Sequence, residues 1–173
     1  MTEEETNHET APEAAPPKPL SGNQKRKMRS ASRLYAVQAL YQMEVGEAGL
    51  DRVKTEFLNH RFGMVTDEGD EFIDGDIDLF SNVLKEAVNW QAKVDQMTDR
   101  ALVAKWPIGR IDSVLRALFR AAGAEFVATD TPPKIVIVEY VDVAAAFFPD
   151  GKEPKFVNAV LDHMAREAKP EAF

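Results

Sequence analysis

The chain has 173 residues, a formal net charge of -8 and no cysteine. That length suits one domain with a real core, and the missing thiols exclude disulfides, zinc-thiolate sites, iron-sulfur ligation and thiol catalysis. No run approaches the ~18 apolar residues of a membrane span, and the acidic, proline-containing start is not a signal peptide, so cytoplasm is the expected compartment.

Residues 1–22 hold Glu3, Glu4, Glu5, Glu9 and Glu13 against Lys18, with Pro12, Pro16, Pro17 and Pro19 and almost no large aliphatic side chain. Such a segment cannot bury enough surface to order itself, so it is expected to be a disordered tail ahead of one domain at 23–173. From about Asn23 to Val45, Leu34, Val37, Tyr41 and Val45 recur at helical steps, and Gly46 and Gly49 supply the stop. A shorter helix is expected from Leu50 to Phe62. The acidic stretch Asp67, Glu68, Asp70, Glu71, Asp74, Asp76 and Asp78, with Gly69 and Gly75, reads as a loop feeding a helix N-terminus, where carboxylates suit the helix dipole.

From Asp78, Leu79, Val83, Ala87, Trp90, Val94 and Met97 predict one helix to about Val103, interrupted at Trp106-Pro107. Ile111, Leu115, Leu118, Ala122 and Phe126 predict a strong helix over Ile111 to Ala128, with Asp112 in its first turn. The β-branched run Ile135-Val136-Ile137-Val138 reads locally as a buried strand. Two features favour helix instead. Thr131-Pro132-Pro133 suits a helix entry with Thr131 as the capping hydroxyl, and a lone strand has nothing to pair with. The last helix is expected from about Glu153 to Ala168, with Val157, Leu161 and Met164 inward. The fold class is therefore all-α, a single domain of about seven helices around one core.

Enzyme constellations are missing from this pattern: there is no glycine-rich phosphate loop, no dinucleotide fingerprint, no HExxH and no GxSxG. His8, His60 and His163 stand alone, and the carboxylate pairs Asp95/Asp99 and Glu139/Asp142 fit solvated helix faces better than acid-base chemistry. Aligning Gly75 with the turn glycine of a calcium loop puts Phe72 and Ser81 where oxygen ligands are needed, so that template fails. No catalysis, metal or cofactor is expected.

Lys25, Arg26, Lys27, Arg29 and Arg33 fall within nine positions of an acidic chain and lead straight into a helical pattern. Cations mounted on an ordered helix neutralise backbone phosphates and displace condensed counterions, which makes this a candidate nucleic-acid contact. In the last helix, Phe156 sits off the centre of the buried stripe, with Lys155 and Asn158 further round, an arrangement suited to stacking on an unpaired base. The helical wheel places Tyr41 in the apolar stripe of the first helix with its hydroxyl at the rim, and points Tyr35 outward.

The stretch Arg33-Leu34-Tyr35-Ala36-Val37-Gln38-Ala39-Leu40-Tyr41-Gln42, preceded by the basic arm, resembles the opening of the NusB family of bacterial transcription antitermination factors. Three more segments agree in order: Ile111 to Arg116, Pro133 to Asp142, and Lys155-Phe156-Val157-Asn158-Ala159-Val160-Leu161-Asp162. The resemblance spans about Lys25 to Arg166 and implies two packed helical sub-bundles. It also implies an RNA-binding adaptor, one that engages boxA-type single-stranded RNA of ribosomal RNA leaders together with the NusE-type ribosomal protein. The pair would load onto RNA polymerase with other Nus factors, and members occur as monomers or homodimers.

Carried over by motif, Lys25, Arg26, Lys27, Arg29 and Arg33 would meet phosphates. Tyr41 and Phe156 would meet bases, with Lys155 and Asn158 beside the latter, and Asp112 would join this surface. Two departures stand out: Ser30-Ala31-Ser32 occupies a stretch where members often carry denser arginine, and Ala159 replaces a common glycine. A second expectation, from a different class, is a protein-only helical adaptor whose acidic surface binds a basic partner, because the region after Arg33 remains net negative.

Overall fold

The computed structural model describes residues 19–62, 75–102 and 107–173. Most of the expected tail, the acidic loop up to Asp74, and Val103 and Trp106 therefore lie outside the described residues. Among these residues there are seven α-helices and no strand. They are α1 (Gly22–Val45), α2 (Leu50–His60), α3 (Ile77–Asn89), α4 (Gln91–Ala101), α5 (Ser113–Ala128), α6 (Pro133–Phe147) and α7 (Glu153–Ala168), with short 3-10 turns at Ile108–Arg110 and Pro170–Ala172.

Each boundary has a local cause. Ser21 and Gln24 form a reciprocal capping box at the start of α1, satisfying two backbone amides that the helix leaves open. Asp76 caps α3 by accepting from the Leu79 amide at 3.0 Å, and Asp78 follows in the first turn, as carboxylates at a helix start should. The long helix expected from Asp78 breaks in two. Trp90, at φ -106 and ψ 12, ends α3 and begins α4, its indole nitrogen donating to Glu86 at 2.8 Å. Its ring is 39 % exposed and does not continue the apolar stripe.

Asp112 precedes α5 as its N-cap, its carboxylate accepting from the Val114 amide at 2.8 Å. The Ile135 segment is helical, as its surroundings required. Thr131, however, does not cap α6: the cap is Pro132, with no side-chain hydrogen bond, and the Thr131 hydroxyl turns to Glu125 instead.

The centre of the fold is α5, which packs against α1, α3, α4, α6 and α7. On one side α1, α2 and α3 pack together; on the other, α7 packs against α4 and α6. Small residues let α5 take so many neighbours. Ala117, Ala121, Ala122, Gly123 and Ala124 are all buried, and a Cβ on Gly123 would stand 2.3 Å from Val94 Cγ1 of α4. Large side chains fill the rest: Phe57, Phe80, Phe119, Phe126, Leu84, Leu118, Leu161 and Met164 are fully buried.

An ion pair lies in this core. Arg33 of α1 donates through Nε and Nη2 to both oxygens of Glu125 of α5, each at 2.9 Å, with the arginine 4 % exposed and the glutamate 0 %. Burial opposes the guanidinium charge, but the hydrogen bonds and charge of Glu125 more than offset it, and the Arg33 pKa is raised. Tyr140 is buried beside the pair, its hydroxyl near Glu125 but with no partner of good hydrogen-bond geometry among the described residues, and burial first, then the proximity of Glu125, holds its pKa well above the usual 10. Glu125→Ala, which strands a buried cation, should cost about 3–5 kcal/mol in urea unfolding, whereas Tyr140→Phe should change stability by less than about 1 kcal/mol.

Nearer the surface, Arg116 and Arg120 of α5 both hold Glu44 of α1, and Arg120 also pairs with Asp95 of α4 at 3.0 Å. The hydrogen bonds from Arg116 hold the Glu44 carboxyl below its ordinary pKa. A carboxyl with a depressed folded pKa contributes stability that is complete above its unfolded value, about 4.3, and is lost as pH falls through the folded one. Glu44→Gln should therefore lower the thermal midpoint at pH 7 and narrow its gap to the unmodified chain as the pH is taken below about 4.

Candidate nucleic-acid interface

The basic start of α1 divides in two. Lys25, Arg26, Lys27 and Arg29 are exposed, and among the described residues none of the four has an ion-pair partner. Arg33 differs. Its guanidinium is closed on Glu125 and lies 3.8 Å from Glu139, so it is withdrawn from the phosphate-contact set that the sequence suggested. A buried arginine that supplies the counter-charge of a buried glutamate has no free edge for RNA.

Ser30 and Ser32, which interrupt the basic arm, are committed to contacts within the protein. Ser30 donates to Glu139 of α6 at 2.8 Å, and the fully buried Ser32 donates to the Asp76 carbonyl at 2.8 Å. Ala31 is also buried against the core. This turn of α1 faces protein, and an arginine there would have to displace it.

A groove of about 580 Å³ runs between α1 and α6, lined by Arg26, Lys27, Leu34, Gln38, Arg61 and Asp142 among others. A second hollow, lined by Gln38, Tyr41, Phe57, Arg61, Val114 and Phe147, shares Gln38 and Arg61 with the first. The two adjoin at these residues, with cations of α1 lining the first and the Tyr41 ring lining the second. Arg26 also borders a third hollow, with Arg29, Lys134, Ile135, Val138 and Glu139. Lys25 lines none of these.

The two tyrosines of α1 have exchanged expectations. Tyr35 is 6 % exposed, packed 5.1 Å from the Phe62 ring, while Tyr41 is 38 % exposed at the groove end. The buried face of α1 is set by Arg33, Ala36, Val37 and Leu40 together with Ser32, Tyr35 and Ala39, and Tyr41 turns away from it.

Phe156 is half-buried, its ring edge-on to Phe119 of α5 at 6.2 Å and 71°, with Lys155 and Asn158 exposed beside it. It lines none of the grooves above. Phe119 belongs to the same helix as Val114, which borders the Tyr41 hollow, and Asp112 is exposed at that helix's cap. Of the carboxylates set aside as catalysts, Asp95 pairs with Arg120, Asp99 accepts from the Ile108 amide at 3.0 Å, and Glu139 accepts from Ser30. His60 and His163 are exposed.

The NusB family model matches residues 30–166, which contain all four motif segments. The chain belongs to the NusB family. It is 46 % identical over 148 residues to the transcription antitermination protein NusB of Maricaulis maris, covering 85 % of this chain and 91 % of that protein. It is 45 % identical over 153 residues to the protein of that name from Rhodopseudomonas palustris, covering 88 % and 89 %. Among solved structures, T. maritima NusB superposes with a TM-score of 0.65 at 25 % identity, over 84 % of this chain and 96 % of that one. The same fold is seen, at 20 % identity and a TM-score of 0.66, in antitermination factors NusB and NusE in complex with dsRNA, over 82 % of this chain and 98 % of that one.

The two aromatic candidates are anchored differently, and their truncation should show it. Tyr41→Ala should change unfolding free energy by less than about 1 kcal/mol, as exposed substitutions do, whereas Phe156→Ala should cost about 1–3 kcal/mol through the lost packing on Phe119, both read from urea titration.

Proposed function

We propose that this chain is an RNA-binding transcription antitermination factor that engages boxA-type single-stranded RNA of ribosomal RNA leaders together with a NusE-type ribosomal protein. It would act in the cytoplasm, on RNA polymerase and with other Nus factors. The observation that carries the reading is the pair of adjoining hollows that share Gln38 and Arg61, one lined by Arg26 and Lys27, which have no ion-pair partner among the described residues, and the other by the exposed Tyr41 ring. Cations hold a backbone and a ring holds a base, and here both belong to one helix and line adjoining hollows. Family membership and the relatives named as antitermination proteins support it.

Lys25, Arg26, Lys27 and Arg29 supply phosphate contacts, Arg33 being reserved for the core. Tyr41 stacks a base. Phe156, held edge-on by Phe119, offers its uncovered part to a second base, flanked by Lys155 for phosphate and the Asn158 amide for a base edge. Asp112 retains one carboxylate oxygen beyond its capping bond as an acceptor for a base amino group.

Four phosphate contacts at about -0.7 each predict a log affinity that falls against log salt with slope near -3 for a single-stranded oligonucleotide. Replacing Lys25, Arg26, Lys27 and Arg29 with Ala should flatten that slope and weaken boxA-like and scrambled RNA alike. Phe156→Ala should weaken boxA-like RNA more than scrambled RNA. A flat salt dependence would overturn the reading. Capture of a basic protein partner that survives nuclease, with no RNA shift at low salt, would favour the protein-only adaptor.

A further inference from the structure

Between the cations of α1 and the Tyr41 ring stands an arginine that no family motif brings to notice. Arg61 closes α2: its amide donates to the Phe57 carbonyl at 3.0 Å, and its guanidinium carbon lies 5.5 Å over the Phe57 ring. Phe57 is itself 1 % exposed, a fixed surface on which the cation rests. A guanidinium stacked on an aromatic face keeps its in-plane N–H donors directed outward, and less side-chain freedom is lost when they engage an anion.

Three further observations mark this residue. Arg61 is exposed and, like Arg26, Arg29, Arg52 and Arg110, pairs with no carboxylate among the described residues, whereas Arg33, Arg100, Arg116, Arg120 and Arg166 are each committed to one; of the unpaired arginines outside α1, Arg61 is the one that lines the groove. With Gln38 it is common to the basic groove and the Tyr41 hollow. Gln38 and Tyr41 stand three residues apart, on one face of α1.

The groove also has an electrostatic gap that Arg61 fills. Lys27 and Tyr41 are fourteen positions apart, a rise of about 21 Å along α1, and α1 offers no cation to the groove between them once Arg33 is buried. The opposite wall, α6, brings Glu139 and exposed Asp142 to the same groove. Glu139 is partly neutralised by Ser30 and Arg33. Asp142 makes no ion pair among the described residues. A polyanion running along this wall would meet repulsion halfway unless a positive group stood across from it.

We infer that Arg61, with Gln38 beside it, is a phosphate-positioning station that carries single-stranded RNA past the acidic wall of α6 and delivers a base to Tyr41. This rests on the RNA-binding reading above and adds to it a residue from α2.

Arg61→Gln, measured against a boxA-containing oligonucleotide, should flatten the salt slope by about 0.7, equivalent to about a fivefold loss of affinity at 0.1 M salt that vanishes toward 1 M. Arg61→Lys should restore the slope. Loss should not add to that of Tyr41→Ala, because the two residues hold successive parts of one strand. The chain has no cysteine, so Arg61→Cys bearing a thiol-linked photocrosslinker gives a second readout that is independent of affinity and should capture the oligonucleotide. If Arg61→Gln keeps the original slope and the crosslinker captures nothing, while the alanine variant of Lys25, Arg26, Lys27 and Arg29 binds weakly, the strand runs elsewhere and this inference fails alone. If none of these changes alters binding, the RNA reading fails with it.

Discussion

The arrangement of this molecule turns on a salt bridge inside the core. Arg33 and Glu125 are each nearly inaccessible, and neither can be left without the other, because an unpaired charge in that environment costs several kcal/mol. The pair ties α1 to α5, the helix that most others touch, and so sets the rotation of α1 about its own axis. With Arg33, Ala36, Val37 and Leu40 turned inward, Tyr41 faces the groove, and so do Arg26 and Lys27 a few turns earlier. One residue of a basic cluster thus aims the rest.

That division of labour is where sequence reading reached its limit. A cation spaced with four others carries the same local signature whether it faces solvent or a glutamate ninety-two positions away, and no periodicity reveals the distant partner. The tyrosines were misplaced for a related reason. Large side chains were taken to mark the buried stripe of α1, but the helix approaches its neighbours through Ala36 and Ala39, both fully buried, and the small residues define the face. The break at Trp90 is invisible to a pattern that continues in phase across it. By contrast, α5, α6 and α7 were legible to within about two residues at their starts, because strong spacing, proline punctuation and the lack of a strand partner all agreed. Four motif segments were enough to place the chain in its family, and Arg61 lay outside all of them.

Charge is distributed with the same economy. The chain is acidic overall, yet most arginines with a described partner bind helices to one another: Arg116 and Arg120 join α5 to α1 and α4, and Arg100 joins α4 to Glu167 of α7. The cations that form no ion pair among the described residues are spread over the helices, but their densest cluster is Lys25, Arg26, Lys27 and Arg29 at the start of α1. Field lines from that cluster are focused by the groove walls, while the net negative charge of the rest of the chain repels polyanions that arrive in the wrong orientation.

The capping box at Ser21 and Gln24 gives α1 a firm beginning, yet the first turn that follows holds no acidic residue, unlike those of α2, α3 and α7. Lys25, Arg26 and Lys27 crowd the end of the helix whose peptide dipoles already point positive charge outward, a placement that works against local helix stability by some tenths of a kcal/mol per charge. An anion arriving there relieves that self-repulsion as well as making its own contacts. Ligand binding and the order of this first stretch of helix are therefore thermodynamically linked, and the cap keeps the binding arm folded while it waits for its counter-charge.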